Sequence, residues 1–382
     1  MKGKNIKYIP AVDQLRGLAA ILIIFYHGLH LITYQLRFGT PFTFENWLTT
    51  DNVFLAPLIE GHTAVALFMV LSGFIFTHGA AGADIRYSSF LYNRFLRIFP
   101  LFLFLYIVGI YLFPEHYSFL GLLQGLLLQS NLPGATFIEP FTSLFWTIAV
   151  EFQFYIVFPF LLLFQRRYGV RYLLFIMLLF SVIRIFGLIL GANVREFSYG
   201  TILGRMDQFI FGMLIALLFR THKLRWQIAL VCLAASAACL AIALVYFHRL
   251  GGYPMIAWYK ILWPTLEGLL WACFIYSYLN LFQTIQPMLM NVLAWIGELS
   301  YSLYLTHLIV IVILLRQHFF ALPIPNSIIE SALLTTLLLV FPLALLLALL
   351  TYHLIEKPFL ELRRVYLQRP LDGPSIAKSP ID

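Results

Sequence analysis

Charge is scarce in this chain of 382 residues: only 11% are Asp, Glu, Lys or Arg, against about 25% in soluble domains. Hydrophobic residues reach 61%, and mean hydropathy is +0.87. So few charges cannot build a water-facing surface, which excludes a soluble enzyme and a disordered chain. Cysteine is also rare. Cys232, Cys239 and Cys273 all lie in apolar stretches without metal-ligand spacing, so they read as small core residues rather than a disulfide framework or a redox pair. No HExxH motif is present, so metal-assisted hydrolysis is not expected and no metal is assigned. No internal repeat is visible, which weighs against a transporter built from inverted halves. Lys2, Lys4 and Lys7 precede a long apolar segment with no small-residue cleavage site, so that segment reads as a retained first helix.

What is present is a formal charge of +8. The basic residues do not gather into one patch, so the excess does not indicate nucleic acid. They stand at the ends of apolar runs, as the cytoplasmic bias of Lys and Arg requires. A helix needs about 20 apolar residues to cross the hydrocarbon. On that rule the sequence predicts spans near 12–33, 61–80, 96–113, 143–164, 171–190, 202–219, 227–247, 258–282, 292–315 and 329–353. The stretch 119–130 is too short and carries two glutamines, Gln124 and Gln129. If it is re-entrant or interfacial, Arg86–Arg97, Arg166–Arg171, Arg220–Arg225 and Lys357–Arg369 all fall on the side of the N-terminal lysines. The expectation is an all-α polytopic membrane protein with about ten spans and both termini cytoplasmic. Residues 1–360 form one transmembrane domain, and 361–382 form a tail, partly disordered after Arg369. Loops 34–60 and 114–142 are the longest outward connections.

Ionisable residues within spans are costly and mark functional positions by default. Arg16 and His27 are eleven residues apart, roughly 20° beyond three full turns and roughly 16 Å along the axis. They therefore project from one face of the first helix, Arg16 near the cytoplasmic boundary and His27 past the midplane. Counted from the outer ends of their spans, His27, Glu151 and His307 share a depth. Glu151 is the expected carboxylate orienting the His27 imidazole. Arg184, Arg205, Asp207 and Glu267 also fall in outer halves, where a hydroxyl acceptor would enter. On the inner side Arg94 and Arg97 are three apart, hence on one helical face, and paired guanidiniums suit phosphate. Asp13 precedes Arg16 by one turn and is its expected partner. Ser72-Gly73 interrupts an apolar span, for close backbone approach of a ligand or for helix packing through small residues.

Six motifs in order resemble one family. They are Asp13-Gln14-Leu15-Arg16-Gly17-Leu18-Ala19 with His27, Leu67-Phe68-Met69-Val70-Leu71-Ser72-Gly73-Phe74, and Arg94-Phe95-Leu96-Arg97-Ile98-Phe99-Pro100. Trp146 with Glu151 and Tyr155, Ser300-Tyr301-Ser302-Leu303-Tyr304-Leu305 before His307, and Glu356-Lys357-Pro358-Phe359 complete the set. Together, across about 12–360, they resemble the acyltransferase family three membrane proteins, bacterial O-acyltransferases of lipopolysaccharide, exopolysaccharide and antibiotics. The resemblance implies transfer of an acyl group, usually acetyl, from cytoplasmic acyl-CoA to a hydroxyl of a surface or exported glycan, in a bacterial cytoplasmic membrane. It implies His27 as catalytic residue with Arg16 as its companion and Glu151 as orienter. Arg94, Arg97 and Ser72 would hold acetyl-CoA, and Tyr155, Asp207 and His307 would face the acceptor. Ala66 stands where many members carry an acid. No hydrolase-like domain follows the last span, so delivery would fall to this chain or to a separate partner. Acyl-CoA, the glycan and membrane lipid are thus the expected partners, and a homo-oligomer is left open.

Two rivals share some of these features. A transporter or flippase of a glycan or lipid-linked precursor also needs ten spans and buried charges, but gives no reason for an arginine pair at the inner mouth. A membrane-bound O-acyltransferase of the other large class would use a lone His in an apolar helix, as His307 is, but not the Arg16/His27 stripe. The soluble acyltransferase pattern of His, four residues, then acid fails, since five residues separate His78 from Asp84.

Overall fold

A computed structural model describes residues 5–40, 42–282, 288–319, 324 and 327–368. They form an all-helical bundle whose only strands, among the described residues, are the paired dipeptides Asp84–Ile85 and Leu367–Gln368. The long helices are α1 (Pro10–Phe38), α2 (Ala64–Gly79), α3 (Tyr87–Leu112), α4 (Phe145–Tyr168), α5 (Val170–Ile189) and α6 (Ile202–Thr221). They continue with α7 (Trp226–Arg249), α8 (Trp263–Phe282), α9 (Met288–Glu298), α10 (Ser300–Arg316) and α11 (Ile328–Glu361). Eight are long and apolar enough to cross a membrane, and α9 with α10, bent by 76°, makes a ninth. The expected span 258–282 begins later, as α8, which carries Glu267, Asn280 and two tyrosines and is not among the eight.

Helix ends alternate between two faces. On the basic face Arg166 donates to the carbonyls of Ala80 and Ala83, and Leu224 N–H donates to Asn280. There, Asn5 and Asn93 clasp the backbone of Arg364 and Tyr366. The start of the predicted tail is thus a fitted strap; residues 369–382 lie outside the described residues. On the opposite face Arg249 pairs with Asp51 at 2.8 Å, and Arg195 donates to Pro254 O.

Close backbone approach sets two helix crossings. A Cβ at Gly73 would come within 2.0 Å of Phe209 O, and one at Gly212 within 2.0 Å of Val70 O. This seam locks α2 against α6, so Gly73 serves helix packing. Gly17 and Gly297 do the same for α1 and α9. In α11, wide turns at 336–340 and 352–356 run up to Pro342 and Pro358, because proline leaves the carbonyl four residues back without its N–H. The second wide turn carries Glu356, buried at 1% exposure.

Two expectations need correction. The cysteines do not lie in the core: Cys239 and Cys273 are exposed on the bundle's outer surface and Cys232 is half-buried. Nor is 114–142 simply an outward loop. The short helix Phe119–Leu126 is too short to span, as read, and packs on α3, where Tyr106 donates to Gly121 O at 2.7 Å. The chain after it then folds into the bundle, as described next.

Candidate active site

Two chambers occupy the interior. One, of about 570 Å³, lies toward the basic face and is lined by Asp13, Arg16, Arg94, Arg97 and Arg363. The other, of about 1320 Å³, lies toward the opposite face and is lined by His27, His30, His62 and much of the segment 130–144. Arg16 and His27 project from one face of α1, yet each serves a different chamber. The chambers share Val65 and Tyr304 in their walls.

The hydrogen bonds of His27 define its chemistry. His307 Nδ1 lies 3.0 Å from Leu303 O. A carbonyl only accepts, so Nδ1 carries the proton and His307 Nε2 is a lone-pair acceptor. That Nε2 is 2.9 Å from His27 Nδ1, which also lies 3.1 Å from Ile23 O. Both neighbours need a donor, so His27 Nδ1 is protonated and its Nε2 carries the free lone pair. Nε2 has no hydrogen-bond partner among the described residues and belongs to a half-buried ring in the larger chamber's wall. This is the tautomer a general base or nucleophile requires. His307, expected to face the acceptor, is instead the orienting partner.

Glu151 does not touch His27. Its carboxylate accepts from Ser72 Oγ at 2.8 Å and from the Tyr155 hydroxyl, all three in the smaller chamber's wall. A shared depth does not bring the groups together: Glu151 on α4 faces the smaller chamber, whereas His27 lines the larger one with the segment 130–144. Glu151 thus lies on the smaller chamber's side of Tyr304. Tyr155, expected at the acceptor, lies on that side with it.

Four arginines, Arg16, Arg94, Arg97 and Arg363, gather in the smaller chamber's wall beside the carboxylates of Asp13, Glu151 and Glu298. Arg16 pairs with Asp13 at 3.1 Å, as expected, and Arg97 pairs with Glu356 at 2.9 Å. Arg94 makes no hydrogen bond among the described residues, and its guanidinium lies over the ring of Phe76 at 4.8 Å. Arg363 is a fourth cation, which the sequence hid among ordinary anchoring residues. Burial, then repulsion from Arg94, Arg97 and Arg16, pulls its guanidinium down to about 9. Arg94 and Arg97, read as an equivalent pair, are therefore unequal: one is uncompensated, the other committed to Glu356.

Asp207 lines neither chamber. It is fully buried and bound by Arg184 at 2.6 Å and by the Thr265 hydroxyl. Its assignment to the acceptor is corrected to a structural ion pair. Arg205, by contrast, faces the larger chamber while paired with Glu267 at 3.4 Å.

A cluster absent from the sequence reading stands behind His62 in the larger chamber's wall. Glu60, wholly buried, accepts from His248 Nδ1 at 2.8 Å and Trp47 Nε1 at 3.1 Å. His248 Nε2 in turn accepts from Thr50 N–H at 2.8 Å. Burial alone would raise the Glu60 carboxyl, but His248, the adjacent His62 and Trp47 hold it at about 2 against an ordinary 4.5. A carboxyl depressed on folding stabilises the protein above its ordinary value and loses that contribution as pH falls toward the folded one. The shift corresponds to roughly 3 kcal/mol. Thermal midpoints in detergent should therefore fall between pH 4.5 and about 2 more steeply in the wild type than in Glu60→Gln; parallel slopes would contradict this.

A family model described as an acyltransferase domain matches residues 9–353. The chain is 31% identical to the acyltransferase MdmB of Streptomyces mycarofaciens over 43% of its own length and 41% of that protein. It is 26% identical to the putative peptidoglycan O-acetyltransferase YrhL of Bacillus subtilis (strain 168), over 96% of its length and 58% of that protein. With the peptidoglycan O-acetyltransferase OatA of Listeria monocytogenes it shares 25% identity over 79% of its length and 49% of that protein. The chain thus spans about half the length of the curated relatives it matches. No solved structure matches it.

Proposed function

The chain belongs to this acyltransferase family, and from that premise we propose that it is an O-acyltransferase. It moves an acyl group, acetyl first among them, from acyl-CoA at its basic, cytoplasmic face to a hydroxyl of a glycan beyond the other face, in a bacterial inner membrane. The concentration of arginines on the face of the smaller chamber supports the orientation. Peptidoglycan O-acetyltransferases among the relatives support a glycan acceptor.

The observation that carries the reading is the lone pair on His27 Nε2, fixed by His307 in a chamber that abuts the arginine-lined one. CoA phosphates meet Arg94 and Arg363, with Arg16 beside them. The thioester end reaches toward Tyr304, past Ser72 and Glu151. His27 Nε2 takes the acceptor's hydroxyl proton as that oxygen attacks the thioester carbonyl. The C–O bond forms, the C–S bond breaks, and the departing thiolate recovers the proton from the imidazolium. Base assistance of this kind contributes roughly 10²–10⁴ in rate.

The test is transfer of label from [¹⁴C]acetyl-CoA to surface glycan in membranes from cells with and without the gene. Label that appears only with the gene supports the reading. Equal labelling, or movement of unmodified glycan without CoA release, overturns it.

A further inference from the structure

We propose that Val65 and Tyr304 form an acyl-size filter between the donor chamber and the His27 imidazole, admitting short acyl groups; this rests on the acyl-CoA reading above. Among the described residues they alone line both chambers, so an acyl group travelling from the arginines to His27 passes between them. Both are nearly closed off, at 5% and 6% exposure.

The waist is held rigidly. The Tyr304 hydroxyl lies 2.9 Å from Thr147 Oγ1, which is also 2.7 Å from Leu144 O. Its ring lies at a centroid distance of 6.2 Å from both Phe68 and His307. Val65 stands on α2, which the Gly73–Gly212 crossing fixes against α6. On the donor side Phe68, Met69 and Ile148 line the approach beside Ser72, Thr147 and Glu151. A fixed apolar constriction discriminates by size: one methylene too many is worth roughly 10–200-fold. An acetyl group brings a single methyl to the waist, whereas butyryl must seat two further methylenes in packed space. The filter stands one helical turn from His307, so the selected acyl group is delivered where His27 can use it.

The experiment compares CoA release from acetyl-CoA and butyryl-CoA in native membrane vesicles, after subtracting the rate of His27→Ala vesicles. The wild type should favour acetyl-CoA by at least about tenfold. Val65→Ala and Tyr304→Leu should each raise the butyryl-to-acetyl ratio about tenfold, while Tyr304→Phe, which keeps the ring, should retain the preference. The ratio cancels differences in the folded fraction, and Val65→Ala supplies the reading if the tyrosine variants assemble poorly. An unchanged ratio in active Val65→Ala, or a wild type indifferent to chain length, overturns the filter. No His27-dependent release from either thioester overturns the acyl-CoA reading itself, and the filter with it.

Discussion

Replacing His27 by alanine should lower acyl transfer by about 10²–10⁴-fold, the range ascribed to a well-placed general base, and leave folding and CoA binding intact. The expectation follows from the ring's environment. Nδ1 is engaged by His307 and Ile23 O, Nε2 is free, and the ring is only half-buried. Arg16, Arg94 and Arg363, proposed to hold the donor, lie in the other chamber, so donor KM should not move. Exogenous imidazole should restore part of the rate, because the larger chamber of about 1320 Å³ admits it. His307→Ala should give a smaller loss, in kcat alone, because Ile23 O still accepts from Nδ1. Equal activity of His27→Ala and wild type would remove the mechanism.

The second large effect separates the two arginines of one helical turn. Arg94→Gln should raise the donor KM about 10–150-fold, the equivalent of a charge-assisted hydrogen bond worth roughly 1.5–3 kcal/mol, with little change in stability. The guanidinium leaves no buried carboxylate stranded: it makes no ion pair among the described residues and lies over the ring of Phe76. Arg97→Gln should act oppositely. It strands Glu356, a carboxylate at 1% exposure whose other partner is the Ser302 hydroxyl. Breaking such a buried pair costs roughly 3–5 kcal/mol. Thermal unfolding in detergent beside donor KM distinguishes the variants; a matched pair of KM increases without loss of stability would contradict the assignment.

The fold was legible because lipid exposure writes itself into composition. Apolar runs of about 20 residues, bounded by arginines, located most of the helices. Departures occur where polar groups interrupt that pattern, as in α8, and where the 76° bend splits α9 from α10. The Arg16–Asp13 pair was readable from helical spacing, since one turn is a local relation. The partner of His27 was not. Depth counted along each span assumes that all helices start at the same plane. It does not say which chamber a side chain faces, and Glu151 turns to Ser72 in the smaller chamber while the imidazole lines the larger one. His307, by contrast, reaches His27 from a residue 280 positions away, which only packing reveals. Arg363 and Glu60 were hidden for another reason. Each lies in a segment that composition assigns to a loop or tail; the clasp of Asn93 on the Arg364 backbone holds Arg363 half-buried, and Glu60 is buried in the grip of His248.

The central claim is vectorial: thioester enters from the arginine face and the acyl group leaves on the other. Sealed membrane vesicles of known orientation test it, with membrane-impermeant labelled acetyl-CoA added outside. Inside-out vesicles should place label on lumenal glycan, inaccessible to an external esterase until detergent is added, and right-side-out vesicles should remain unlabelled. Labelling of right-side-out vesicles by external acetyl-CoA, or label exposed to the esterase on inside-out ones, would show that donor and acceptor share a face and contradict the account.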